Sequence, residues 1–197
     1  MYKTDYLLVQ LLNNLFLKSL RDERGALVWW GIGLMLLSGI IIIIYPSVRE
    51  AGDALQQYQE SFPEELMGLF AGEITDMASP EGYLKAELFF LTVPMLFLIY
   101  TITKGSGTIA ADEKRGTLEL LLSFPITRRQ VVLQKFFGMV IATLILALIF
   151  FVALILASIP AGMGISFLRF GEATLSAAML GVMFGTLALT LGASTGN

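Results

Sequence analysis

The chain has no cysteine and no histidine in 197 residues. Without cysteine there are no disulfides, no thiolate nucleophile, no iron–sulfur cluster and no Cys-based zinc site. Without histidine the chain lacks the commonest metal ligand and the usual general base near neutral pH. Charge is also scarce: 15% of residues are Asp, Glu, Lys or Arg, against about 25% in a soluble domain. Apolar residues make up 56% of the chain and mean hydropathy is +0.76. A small soluble domain exposes much of its surface and cannot cover it with so few polar groups. The same composition excludes disorder. What remains is an all-α integral membrane protein with little equipment for chemistry of its own.

A helix needs about 20 apolar residues to cross the hydrocarbon core. Four stretches serve: 26–45, 83–103, 136–158 and 173–191. In the second, Leu88–Thr103 is uncharged and lies between Glu87 and Lys104, and a lysine there can snorkel to lengthen the span. The 26–45 stretch is too long for the apolar region of a cleaved leader and reads as a signal anchor. The whole chain, 1–197, reads as one transmembrane domain.

Orientation follows the distribution of Lys and Arg. Residues 1–25 and 104–135 lie on one side of a four-span topology and carry ten of the thirteen basic residues; Arg49, Lys85 and Arg169 lie opposite. This predicts a cytoplasmic N-terminus and a cytoplasmic 104–135 loop. The 46–82 segment is then external and acidic, with its own helix signals at Ser61-Phe-Pro-Glu64 and Ser79-Pro80-Glu81. Its acidity fits either a solvated face or attraction of a cationic substrate. Residues 5–21 place Leu8, Leu11, Leu12 and Leu15 on one helical stripe, which predicts an amphipathic helix in the cytoplasmic interface or packed on the ends of the spans.

The cytoplasmic loop contains a second, shorter helix pattern. Gly116 interrupts the extension of span two, and Thr117 can cap a new turn whose apolar face is Leu118, Leu121 and Leu122. Glu119 is well placed near its N-terminus. Pro125 stops it. Thr127-Arg-Arg-Gln130 then forms a capping box that opens span three, with Ile126 and Val131 as a hydrophobic staple. A short apolar helix outside the membrane must rest on something: the membrane surface or a soluble partner.

The run Glu113-Lys-Arg-Gly-Thr-Leu-Glu-Leu-Leu-Leu-Ser123, followed by Pro125-Ile-Thr-Arg-Arg129 and Lys135, resembles the signature of the type-2 ABC transporter permease family. Phe124 departs from the Leu or Thr more usual before that proline. The resemblance implies a permease subunit, active as a dimer with a second permease copy in a prokaryotic plasma membrane. Two cytoplasmic ABC ATPase subunits would bind ATP and Mg beneath it, with no cofactor in this chain itself. It further implies a coupling helix formed by Glu113, Lys114, Arg115, Gly116, Thr117, Leu118, Glu119, Leu121, Leu122 and Ser123. Leu118, Leu121 and Leu122 would be its anchors on the ATPase, and the charged residues its rim. The family usually has six spans, so a chain with four is expected to lack two.

The spans carry no ionisable residue at their centres, which argues against a proton- or sodium-coupled carrier. Gly181 and Gly185, extended by Ala177 and Ala188, give span four a small face suited to packing within the subunit or at a dimer seam. Pro94 is placed to kink span two. Ser38, Thr92, Tyr100, Thr101 and Thr143 are candidate pathway walls, though bonding back to its own helix is the commoner role for each. Gly105-Ser-Gly-Thr108 lacks the Walker spacing and its Lys-Ser/Thr end, and reads as a flexible or packed stretch. Any ATP is therefore hydrolysed by another chain. The reading that follows is an ATP-driven exporter subunit; the alternative is a membrane scaffold or assembly subunit with no translocation path. There is no nucleic-acid signal, and lipid is a partner by composition.

Overall fold

In the bilayer core a backbone N–H or C=O finds no water, so long apolar stretches satisfy their polar groups within helices. A computed structural model describes residues 24–50, 79–114 and 128–194, all helical apart from short turns, with no strand among them. The elements are α1 (Arg24–Glu50), α2 (Pro80–Leu84), a π-turn (Lys85–Phe89), α3 (Thr92–Lys114), α4 (Arg128–Ser158) and α5 (Phe167–Ser194). Among the described residues, four helical stretches are long and apolar enough to span a membrane: Arg24–Glu50, Pro80–Ser106, Val132–Ser158 and Phe167–Gly192. The all-α membrane fold expected from composition is the one observed. The expected helices at 5–21 and in the outer segment up to 78, and the loop from 115 to 127, lie outside the described residues.

Each spanning helix is longer than its apolar stretch. Hydropathy stops at the first charge, whereas the i→i−4 ladder does not. Thus α5 starts at Phe167 rather than near 173 and takes in Arg169 and Glu172. Likewise α3 runs straight through Gly105-Ser-Gly-Thr108 to Lys114. At the head of span two, Ser79 caps α2 by accepting the Gly82 N–H at 3.1 Å, with Pro80 and Glu81 in the first turn. That pattern suits a helix start, because proline loses nothing at N1 and an acid complements the exposed N–H groups.

The most extensive packing is α3 on α5, followed by α1 on α4 and α4 on α5. α3 and α5 run parallel: Thr101 meets Gly181, and further along Ser106 meets Gly192. α1 turns Gly31, Leu34, Ser38, Ile42 and Tyr45 inward. Its opposite face, including Trp29, Leu36, Ile40 and Ile43, is exposed and suits lipid. The core contains Leu88, Val93, Phe97, Leu146, Phe150 and Leu154. A tight turn joins α4 to α5, with Gly162 at φ +65°, a conformation that glycine adopts without strain.

Candidate functional site

The expected docking element begins in the last residues of α3, and the rest of it precedes α4 in the sequence. α3 carries its backbone through Glu113 to Lys114, eight residues past Ser106, the end of its apolar span. At 1.5 Å per residue that is about 12 Å beyond the apolar zone. α4 resumes at Arg128, four residues before its apolar span begins at Val132. Arg115, Gly116, Thr117, Leu118, Glu119, Leu121, Leu122 and Ser123 lie outside the described residues. The structure therefore describes the two helical posts that flank the loop in sequence.

The α3 post is fixed to the bundle by a seam of very close backbone approach. A methyl group on Gly105 would collide with the Gly185 carbonyl oxygen and sit 3.0 Å from the Leu189 nitrogen. On Gly185 it would sit 2.7 Å from Thr101 Cβ and 2.8 Å from Met139 Sδ; on Gly181 it would sit 3.0 Å from Phe97 Cβ. Gly181 and Gly185 thus pack inside the subunit, against α3 and α4. Small residues are used this way because apolar side chains gain little by leaving lipid for protein, so association relies on close packing and interhelical hydrogen bonds. One such bond is present. The Thr101 hydroxyl lies 2.6 Å from the Gly181 carbonyl and 2.8 Å from the Phe97 carbonyl of its own helix. Its single proton can serve either acceptor.

The other candidate wall residues bond locally or pack. Ser38 donates to the Met35 carbonyl at 2.9 Å and Thr143 to the Met139 carbonyl at 2.7 Å, and both are fully buried. Tyr100 is buried with its ring edge-on to Trp30, centroids 5.5 Å apart. Thr92 opens α3 and is half-buried.

At the opposite end of the bundle, features appear that sequence alone left hidden. The Tyr83 hydroxyl donates to the Ile41 carbonyl at 3.1 Å, and its ring lies 5.4 Å from that of Tyr45. Arg169 at the head of α5 pairs with Glu81 at the head of α2, at 2.9 Å. Tyr45, Pro46, Arg49, Glu50 and Ala161 line a shallow hollow of about 410 Å³. No cluster of three acidic residues able to hold a metal occurs among the described residues. The signal that could have marked the seam was the glycine pair in span four facing Gly105 in span two. Nothing in the linear order says that these two spans are neighbours.

A family model described as ABC-2 family transporter protein matches residues 13–195. The chain belongs to the ABC-2 transporter family. The match begins inside the expected N-terminal helix and includes all four spanning helices. No curated protein and no solved structure matches the chain. Membership of the ABC-2 family agrees with the resemblance carried by the Glu113–Arg129 run, and it makes the protein a membrane component of a family that is generally not itself catalytic.

Proposed function

We propose that this ABC-2 protein is the permease subunit of an ATP-driven exporter in a prokaryotic plasma membrane, paired with a second copy and driven by two cytoplasmic ABC ATPase subunits. The observation that carries the reading is the Glu113–Ser123 sequence, which runs on from the end of α3 ahead of α4 in the most basic stretch of the chain. The N-terminus lies on that same, cytoplasmic side. In this reading the leucines of the loop seat in a groove on the ATPase, and ATP binding there moves the loop. A loop can transmit such a push only if its posts do not yield. The glycine seam supports the reading because it ties α3 to α5 by backbone contact as well as through side chains. ATP and Mg would be held by the partner. This chain would supply the docking surface and the membrane path.

The test is affinity purification of the full chain in mild detergent. A nucleotide-binding subunit is expected to co-purify. Leu122→Asp, or charge reversal at Glu113 and Glu119 together, should abolish that association while membrane insertion is unchanged. Association and transport unaffected by these substitutions would remove the docking assignment. Purification without any nucleotide-binding subunit would favour the scaffold reading instead.

A further inference from the structure

Span two is uneven along its length, and the irregularity is confined to one place. Between α2 and α3 the Phe90 N–H bonds the Lys85 carbonyl at 2.8 Å, five residues back, whereas the Met95 N–H has returned to the four-residue pattern with Leu91 at 2.9 Å. Phe90 and Leu91 form a turn between the π segment and α3. Pro94 follows at once and has no N–H to offer the Phe90 carbonyl. A π-turn with a proline one turn downstream is a site where a helix bends, and such turns are frequent at functional positions.

The two sides of this break are held differently. Below it, α3 is sealed to α5 by Gly105, Gly181, Gly185 and the Thr101 hydrogen bond. Above it, the described polar contacts of Pro80–Phe90 with the rest of the bundle are the Tyr83 hydroxyl on the Ile41 carbonyl and the Glu81–Arg169 pair. In that pair the Arg169 side chain is 69% exposed, and exposed ion pairs hold weakly. The underside of the segment, Leu84 and Leu88, is fully buried and apolar. In a bilayer such residues exchange protein neighbours for lipid tails with no hydrophobic penalty. Phe89 itself rests between Phe150 of α4 and Phe170 of α5, centroids 5.9 and 5.5 Å away. It is the bearing on which a bend at this point would turn.

We infer that span two is jointed at Phe89–Leu91, and that Pro80–Phe90 is an arm that swings away from α1 and α5 when the outer end of the bundle opens. The joint stands on the backbone pattern alone; its use in outward opening rests on the transporter reading above. Tyr83 is the latch of the closed position. Arg169–Glu81 guides the arm.

The chain has no native cysteine, so paired spin labels can be placed without background. The arm pair is Lys85→Cys with Ile43→Cys, and the control pair, below the joint, is Ile102→Cys with Leu187→Cys; all four positions are exposed. Distances are measured by pulsed dipolar spectroscopy on the full chain in lipid nanodiscs. The control pair is expected to give one narrow distance and the arm pair two. Tyr83→Phe, which keeps the ring and removes the latch, should raise the longer-distance population about threefold, the equivalent of one average interhelical hydrogen bond in a membrane. Pro94→Ala, which restores a donor for Phe90, should merge the two populations. A single narrow arm distance, unchanged in both variants, overturns the joint. In the complex with its ATPase subunit, ATP should favour the longer distance. Two populations that ignore nucleotide overturn the arm's role in opening. Failure of the transporter reading would appear instead as absence of any ATPase from the purified complex.

Discussion

Gly105→Ala is the most demanding single test of the packing. The added methyl group would meet the Gly185 carbonyl oxygen and the Leu189 nitrogen, both main-chain atoms inside a helix, so no side-chain rotation can relieve the clash. α3 and α5 must separate. Overpacking of this kind costs about 1–3 kcal/mol. Separation also stretches the 2.6 Å bond from Thr101 to the Gly181 carbonyl, worth on average about 0.6 kcal/mol within a membrane bundle. The sum is a loss of about 2–4 kcal/mol. Gly185→Ala should cost less, since one of its obstacles is the flexible Met139 sulfur, and Gly181→Ala less again, with its nearest contact at 3.0 Å. Gly39→Ala is the control, with nothing within 4 Å of the new methyl; its helix remains formed in the membrane-unfolded state, so it should change little. The assay is equilibrium unfolding in mixed micelles, followed by tryptophan fluorescence from Trp29 and Trp30. Equal stability of Gly105→Ala and Gly39→Ala would refute the seam.

Two further outcomes follow from the same contacts and from the charge distribution. Thr101→Val keeps the shape and removes the hydroxyl, and should cost about 0.6 kcal/mol and no more than roughly 1.7; Thr143→Val, whose hydroxyl bonds only its own helix, should cost less in the same unfolding assay. A single cysteine at Glu60 should react with a membrane-impermeant thiol reagent on intact cells, and one at Glu119 only after permeabilisation; the reverse pattern would invert the proposed orientation.

The legibility of this protein differs by level. The existence and order of the spans could be read directly, because a run of about 20 apolar residues has few other stable homes. The bounds could not: α5 extends N-terminally past Glu172 and Arg169 because hydrogen bonding continues where hydropathy stops. Pro94 announced a bend but not its form. A proline removes one donor, and whether the ladder then kinks, opens or inserts a residue upstream depends on what surrounds it, here Phe150 and Phe170 against Phe89. Thr101 shows the limit most clearly. Its local bond to Phe97 was foreseeable from helix geometry, whereas its bond to Gly181 required knowing which helix lies beside it. The family resemblance of the Glu113–Arg129 run was legible for the opposite reason: a family signature resides in contiguous residues.

The sequence by itself determined that this is a helical membrane protein, with four spans among the described residues, a basic 104–135 loop and an acidic 46–82 segment, because burial in lipid, helix capping and charge asymmetry all act through neighbours along the chain. Only the tertiary structure decided that α3 and α5 are sealed by Gly105, Gly181 and Gly185, and that span two changes character at Phe90. Those features depend on the approach of backbones far apart in sequence. In a bilayer, where apolar faces are equally content with lipid, hydrophobic pattern does not say which helix will lie against which.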